Sequence, residues 1–364
     1  MHFSNLKIDN NIINALSKNG IKEPTQIQSE TMYPILNLNN IIAKSNTGSG
    51  KTLAFVIPIL NLILNDKIET SLILAPTREI TIQISQVIES LVNVITNIDK
   101  HPINYIAIYG GKDIKSQIKK LNSNKINIII ATPGRLLDHI QRKTIKLDMI
   151  DTLVIDEADQ MLLMGFKNEI DSIFNKINTY KNLLLFSATI NSSVKKLAYR
   201  YAENFIEIDT SKENIPNKIE QEFIISTDRS KFDDLCKQIE KDSPFLAIIF
   251  CRTKARVDNL DIKLGQKGYS CCKIHSDISQ SKRERIIKDF KNMKFQFLIS
   301  TDLASRGLDI QGLSHIYNYD FPELAQDYIH RIGRTGRVNK DGKSRSFITE
   351  KNMLVYEEVK KILE

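Results

Sequence analysis

In Thr152-Leu153-Val154-Ile155-Asp156-Glu157-Ala158-Asp159 the apolar run Leu153-Val154-Ile155 ends abruptly in carboxylates. A short, wholly apolar run is the pattern of a strand buried on both faces, as in a parallel α/β sheet. Ligands of such sheets bind at the carboxyl ends of the strands, which is where these acids fall. Two acids there suit a Mg²⁺ held through its waters and the orientation of an attacking water. Taken alone, the four letters fit a solvated acidic turn better. A second stretch of the same kind tips the balance: Ser45-Asn46-Thr47-Gly48-Ser49-Gly50-Lys51-Thr52 follows the apolar Ile41-Ile42-Ala43.

That stretch is built to hold phosphate. Its glycines let the backbone close around an anion and point N–H groups inward. Leu53-Ala54-Phe55-Val56 then begins a helix, whose N-terminal end adds positive partial charge. Lys51 is placed to reach the β- and γ-phosphates, and the Thr52 hydroxyl to bind Mg²⁺. The strict pattern has Gly where Ser45 stands, another small residue, while Gly48 and Gly50 remain. Asp156 is the natural partner of the metal, and Glu157 the candidate to polarise the attacking water. Asp159 is expected to bond to Ser187 or Thr189 in Ser187-Ala188-Thr189, which also follows an apolar run.

Outward from these two stretches the chain alternates. Strands are predicted over 71–76, 126–131, 152–155 and 182–186, with helical spacing over 79–94 and 166–177. This rhythm means βαβ units and a parallel sheet with right-handed crossovers. It breaks over 209–217, which is polar and contains Pro216. A second series follows, with strands predicted at 245–251, 270–275, 295–300 and 315–319, and helices at 254–266, 279–291 and 323–332. The predicted organisation is an N-terminal domain 1–208, a linker 209–218 and a C-terminal domain 219–364.

Only the first series carries a phosphate loop. The second carries His330-Arg331-Ile332-Gly333-Arg334-Thr335-Gly336-Arg337, arginines spaced three apart around glycines. Arginines presented from a glycine-bearing loop suit bidentate phosphate contact. The two halves together predict a site divided between domains.

Composition limits the alternatives. With 364 residues, 41% hydrophobic and 26% charged, the chain is an ordinary globular protein of about two domains. A net charge of +8 favours a polyanionic partner weakly, because lysine, isoleucine and asparagine are enriched throughout. No apolar run approaches the roughly 20 residues of a membrane span. The first residues lack the pattern of a signal peptide, so a cytoplasmic location is expected. Cys236, Cys251, Cys271 and Cys272 form no Cys-x-x-Cys pair and read as buried free thiols, with Cys271 and Cys272 on opposite faces of a strand.

Taken together, these residues resemble the DEAD-box ATP-dependent RNA helicases of helicase superfamily 2, over nearly the whole chain and in the family's order. Gly20-Ile21-Lys22-Glu23-Pro24-Thr25-Gln26-Ile27-Gln28 is similar to the adenine-recognising Q motif, with Phe3 upstream. The 45–52 loop, Ala75-Pro76-Thr77-Arg78-Glu79, Gly110-Gly111, Thr132-Pro133-Gly134-Arg135, Asp156–Asp159 and Ser187–Thr189 follow. In the second half Phe250-Cys251-Arg252-Thr253, Gln280 with Arg283, Ser300–Asp309 and His330–Arg337 continue the match. Ser45, Ile80 and Cys251-Arg252 are mild departures.

The resemblance implies an α/β fold of two tandem RecA-like domains, each a parallel sheet flanked by helices, joined by a flexible linker. It implies ATP binding by Phe3, Gln28, Thr47, Gly48, Ser49, Gly50, Lys51 and Thr52, with Gly307 and Asp309 from the second domain. Glu157, Lys51, Asp156, Arg334 and Arg337 would be catalytic, Thr52 and Asp156 would serve Mg²⁺, and Asp159, Ser187, Thr189 and His330 would couple the parts. RNA contacts fall to Pro76, Thr77, Arg78, Gly111, Thr132, Gly134 and Arg135, then Arg252, Thr253, His275, Gln280, Arg283, Thr301 and Arg306. Arg, Thr and glycine backbone are phosphate and sugar binders, so a sequence-independent grip is expected, with 2′-OH contacts favouring RNA. In this reading ATP and RNA close the domains, one RNA strand is bent, a short duplex opens, and hydrolysis releases the RNA. A monomer is expected. The chain ends at Lys360-Lys361-Ile362-Leu363-Glu364 without a long Arg/Gly-rich tail, so the substrate RNA is left open. The competing readings are a slow-turnover RNA clamp, a DNA helicase of the same superfamily, and a P-loop kinase or transporter ATPase.

Overall fold

The computed structural model describes residues 2–45, 48–98, 102–210, 219–305, 310, 313–335 and 342–363. The chain divides into two compact units, Met1–Glu213 and Asn214–Glu364. In the first, seven short strands form one parallel sheet: β1 Ile41–Lys44, β2 Ser71–Leu74, β3 Tyr105–Ile108, β4 Ile128–Ala131, β5 Thr152–Ile155, β6 Asn182–Ser187 and β7 Ile206–Asp209. Their order is β3-β4-β2-β5-β6-β1-β7. The apolar runs explain why the central strands are buried on both faces. Along β5, Val154 packs into one core while Leu153 and Ile155 pack into the other. Along β1, Ile41 and Ala43 take the first core and Ile42 the second. Each such side chain contributes about 1.5–3 kcal/mol on burial.

The second unit repeats the plan with six strands, β8 Ile219–Ile225, β9 Ala247–Phe250, β10 Cys271–Ile274, β11 Phe297–Ser300, β12 His315–Asn318 and β13 Gly342–Ile348. Their order is β10-β11-β9-β12-β13-β8, again with parallel pairing. The α/β class with two helix-flanked parallel sheets is as the sequence implied. Helix Lys254–Gln266 has the predicted bounds, and Arg78–Ile98 runs further than predicted at both ends. Cys271 and Cys272 do alternate: Cys271 packs against one core of this unit and Cys272 lies in the other.

Four strands, β3, β7, β8 and β13, were not predicted. Three of them, β3, β7 and β8, are sheet edges. Asp209, read as the first linker residue, instead ends β7, paired to Lys44 at 3.0 Å. Thr210 N then donates to Lys44 O, and the rest of the expected linker, 211–218, lies outside the described residues. Among the described residues, no helix is long and apolar enough to cross a membrane.

Candidate active site

Parallel pairing sends every loop that follows a strand of the first sheet to one edge, and the strand order divides that edge in two. On one half stand the neighbours β5, β6 and β1, which deliver Asp156–Asp159, Ser187–Thr189 and the loop that opens at Ser45. On the other half stand β3, β4 and β2, which deliver Gly110–Gly111, Thr132–Arg135 and Pro76–Arg78.

The first half holds a compact charge cluster. Lys51, the first residue of helix Lys51–Leu64, is 6% exposed, yet its Nζ lies 3.1 Å from Glu157 Oε1 and donates to Ser45 O at 3.2 Å. Burial opposes its charge, but the fields of Glu157, Asp156 and Asp159 outweigh that and hold the ammonium above its usual range. Burial and then the neighbouring Glu157 charge push the Asp156 carboxyl up to about 7, with Lys51 partly offsetting them. Glu157 sits at φ 50°, ψ 51°, in the left-handed region, and its N–H donates to Asp156 Oδ1 at 3.0 Å. A non-glycine residue there stores about 1–3 kcal/mol of strain and is typical of functional sites. Asp159 meets both expected partners: Thr189 donates to Asp159 Oδ2 through Oγ1 at 2.9 Å and N at 3.1 Å, and Asp159 N donates to Ser187 Oγ at 3.3 Å.

These residues fit a magnesium nucleotide. Among the described residues, Ser45 Oγ and Ser49 Oγ are buried without a hydrogen-bond partner, as donors waiting for an anion would be. A buried carboxyl with a raised pKa favours a nearby cation. Among the described residues, no group of three or more His, Cys, Asp or Glu is placed to hold a metal alone. Mg²⁺ needs only one or two protein ligands when phosphates and waters complete its shell.

Gln28 closes the loop from below. Its Oε1 accepts from Thr25 N at 3.0 Å and its Nε2 donates to Gly50 O at 3.1 Å. An amide oxygen has a second lone pair and its nitrogen a second hydrogen, so a purine edge remains within its capacity. Gly50 has φ 95°, and a Cβ there would lie 2.3 Å from Gln28 Nε2. Gly50→Ala is therefore expected to displace the Gln28 amide and weaken ATP binding about tenfold or more, given roughly 1–2 kcal/mol of left-handed strain on top of the clash. Titration with a fluorescent ATP analogue checks it, and unchanged affinity would remove this contact from the site. Phe3, expected to pack on the base, is 2% exposed and lies within the first unit's core.

The other half of the edge is locked by its own hydrogen bonds. Thr77 Oγ1 accepts from Ile80 N at 3.3 Å, and Pro76 beside it is buried. Arg78 lies against Gly110, where a Cβ would come within 3.0 Å of Nη2, so this glycine permits the approach of the β2 and β3 loops. Gly111 has φ 86° and is exposed. Thr132 N donates to Ile108 O at 2.9 Å, Gly134 is exposed, and Arg135 Nη1 donates to Lys112 O at 3.0 Å.

In the second unit, the loops after β9, β10 and β11 carry Arg252 and Thr253, His275, and Thr301. Arg252 and Thr253 are exposed, and Thr253 Oγ1 caps the following helix at Arg256 N, 3.3 Å away. His275 is buried, with Nε2 3.3 Å from Asp258 Oδ1 and Nδ1 without a partner among the described residues. Gln280 Nε2 donates to Glu284 Oε1 at 3.1 Å, and Arg283 Nη2 to Ala304 O at 3.5 Å. Helix Ala325–Ile332 carries His330 and Arg331 in its last turn, with Arg334 just beyond and 9% exposed. Thr47, Arg306, Gly307, Asp309 and Arg337 lie outside the described residues.

Two residues were missed as organisers. Arg331 is 3% exposed and forms a fork with Asp302 at 2.6 and 2.7 Å. It also donates to Asn318 Oδ1 at 3.1 Å and Asp320 O at 2.6 Å. Asp320, after β12, is 4% exposed and accepts from Arg252 N at 2.9 Å, with Arg256 Nε at 2.8 Å. Its signal in the sequence is weaker than that of Asp156, because Asn318 interrupts the apolar letters before it.

The chain matches the family model described as DEAD/DEAH box helicase over residues 25–197, and that described as Helicase conserved C-terminal domain over residues 230–339. It is 41% identical over 355 residues to the ATP-dependent RNA helicase CshA of Listeria monocytogenes, covering 96% of this chain and 66% of that one. Against the DEAD-box ATP-dependent RNA helicase CshA of Bacillus subtilis it is 41% identical, covering 97% of this chain and 71% of the relative. The chain thus spans about two thirds of the length of these relatives. Among solved structures, S. cerevisiae Dbp5 bound to RNA and ADP BeF3 is similar, with a TM-score of 0.86, 28% identity, and coverage of 99% of this chain and 93% of that one.

Proposed function

The chain belongs to the DEAD/DEAH box helicases, and from that membership we propose that it is an RNA-stimulated ATPase that clamps RNA, opens short duplexes or remodels RNA–protein complexes, and releases RNA after hydrolysis. One observation carries the reading. The phosphate-loop lysine meets the acidic turn, with Lys51 Nζ 3.1 Å from Glu157 Oε1, while Arg- and Thr-bearing loops occupy the other half of the same sheet edge.

In this mechanism Gln28 reads the adenine edge and the 45–52 loop cradles the phosphates with its N–H groups. Mg²⁺, held by Thr52 and through water by Asp156, would neutralise phosphate charge. Incoming phosphate draws Lys51 from Glu157, which frees the Glu157 carboxylate to orient the attacking water. Arg334 and Arg337, with Asp309, are proposed to complete the site when ATP and RNA draw the domains together. Charge developing on the transferred phosphoryl group is where an arginine is worth about 10³–10⁵ in rate. The Asp159–Thr189 bonds join the acidic turn to the loop after β6, so movement of one is felt by the other. RNA is held by its backbone at Pro76, Thr77, Arg78, Gly111, Thr132, Gly134 and Arg135 in the first domain. Arg252, Thr253, His275, Thr301 and Arg306, with Gln280 and Arg283, serve in the second. The protein acts as a monomer.

The test is ATP turnover with and without single-stranded RNA, and with the matching DNA. Turnover raised by RNA and not by DNA is expected, with RNA affinity falling on a log–log salt slope of about −0.7 per phosphate neutralised. Absence of RNA stimulation would leave an ATP-dependent clamp, and equal stimulation by DNA would leave a DNA helicase.

A further inference from the structure

Helix Ile114–Ser123 begins just after Gly111 and is fixed to the loops assigned to RNA. Arg135 Nη1 donates to Lys112 O at 3.0 Å and to Gln117 Oε1 at 3.4 Å, and Gln117 Nε2 donates to Tyr109 O at 3.0 Å. Gln117 is 3% exposed and marks the inner face of the helix. The outer face is basic: Lys112, Lys115, Lys119 and Lys120 are all exposed. Asp113 is the only acid in this stretch, and its side chain is engaged in capping Lys115 N at 3.2 Å. Among the described residues, Lys112, Lys115 and Lys119 have no carboxylate within ion-pair distance, whereas Lys120 lies 5.0 Å over the Tyr105 ring.

The lysines form two ridges. Lys115 and Lys119 run along the crest, four residues apart. Lys112, Ser116 and Lys120, also four apart, form one wall of a groove of about 340 Å³. Helix Arg78–Ile98 supplies the other wall with Gln86 and Glu89, over a floor that includes Tyr109. The one acid in the groove, Glu89, is engaged with the Tyr105 hydroxyl, whose pKa burial and Glu89 raise. The helix is roughly 15 Å long, or four to five steps at the ~3.4 Å rise of a nucleic-acid strand.

We propose that this lysine-lined groove is a second RNA-contact surface, taking the phosphate backbone of the strand where it continues past Gly111 from the core loops. The proposal rests on the RNA-binding reading above. Its chemistry is that of nonspecific backbone binding: point charges on flexible stems, beside polar groups able to meet sugar or phosphate. Lys112, Lys115 and Lys119, exposed and without carboxylate partners among the described residues, add no ion pair to the fold.

The test is the full chain carrying Lys112→Gln, Lys115→Gln and Lys119→Gln together. RNA is offered as a short oligonucleotide of about six nucleotides and a long one of about 20, bracketing single-strand site sizes. Two readouts are needed, RNA-stimulated ATP turnover and equilibrium binding of fluorescent RNA. The short RNA is expected to behave as with the parent chain. For the long RNA, half-maximal stimulation and binding are expected to need about fivefold more RNA, with the log–log salt slope shallower by about 2. Unchanged values for both lengths, as a dock for an acidic protein would give, overturn the proposal. An equal loss for both lengths also overturns it, because the lysines would then belong to the core site. If the parent chain shows no RNA-stimulated turnover yet loses long-RNA binding in the variant, the catalytic reading fails and the groove stands.

Discussion

Glu157→Gln is expected to lower ATP turnover by about 10²–10⁴ while ATP and RNA remain bound. The expectation follows from the geometry of the acidic turn. Glu157 is held at φ 50° and meets Lys51 Nζ at 3.1 Å. Glutamine keeps the length and shape of the side chain but cannot accept a proton from water. It also removes the charge that most raises Lys51 and repels Asp156. The Asp156 carboxyl should then move down from about 7, because the Glu157 charge, the largest cause of its shift after burial, is gone. Cation binding at Asp156 should be no weaker for that. The decisive comparison is turnover against affinity for a fluorescent ATP analogue. Lost turnover with retained affinity assigns Glu157 to the water. Lost affinity would assign it instead to positioning Lys51, and normal turnover would remove it from the chemistry.

The fold was legible where burial and apolarity coincide. Strands β2, β4, β5 and β6 are buried on both faces, so each has an unbroken apolar stretch of three or four letters that ends at the acid or small residue before a loop, with polar Ser71, Thr152 and Asn182 only at strand starts. It was not legible where polar residues are buried in pairs. Strand β13 places Ser344, Arg345 and Ser346 at buried positions. Arg345 is 1% exposed and is neutralised by Asp242 through two bonds of 2.9 Å and by Glu220 at 2.7 Å. Glu220 lies on β8 and is far away in sequence, so no local pattern announces that β8 and β13 belong together. Edge strands fail for a different reason. β3 has one half-buried face and β7 is largely exposed, so neither forms a continuous apolar run.

The site was legible in its letters and not in its partners. Glycines, Lys51 and the acids stand at strand ends, which is information one strand carries by itself. That Gln28 already spends both ends of its amide on Thr25 and Gly50 depends on helix and loop meeting in three dimensions. The same holds for Asp320, whose contacts to Arg252 and Arg256 join the ends of β12 and β9.

Arg331 and Arg334, three residues apart and alike in the sequence, are expected to fail in opposite ways. Arg331→Met leaves Asp302 without its fork and Asn318 Oδ1 and Asp320 O without their donor, in a region where Arg331 itself is 3% exposed. It also removes the guanidinium stacked 4.8 Å over the Phe250 ring. Asp302 is 31% exposed, so breaking this half-buried pair costs less than the roughly 3–5 kcal/mol of a fully buried one, but the two stranded buried acceptors add about 1–3 kcal/mol each. The second unit should therefore unfold at markedly lower denaturant, and turnover should fall with the folded fraction. Arg334→Ala leaves the Arg331 bonds to Asp302, Asn318 and Asp320 in place, and is expected to keep the parent's unfolding midpoint. Its loss should appear in turnover alone, by about 10³–10⁵ if the guanidinium meets the transferred phosphoryl group. Denaturant unfolding and RNA-stimulated ATP turnover, measured on both variants, separate the roles. A stable Arg331→Met chain would show that the fork with Asp302 does not hold the fold. A destabilised Arg334→Ala chain would place both arginines in the scaffold and leave the phosphate without either.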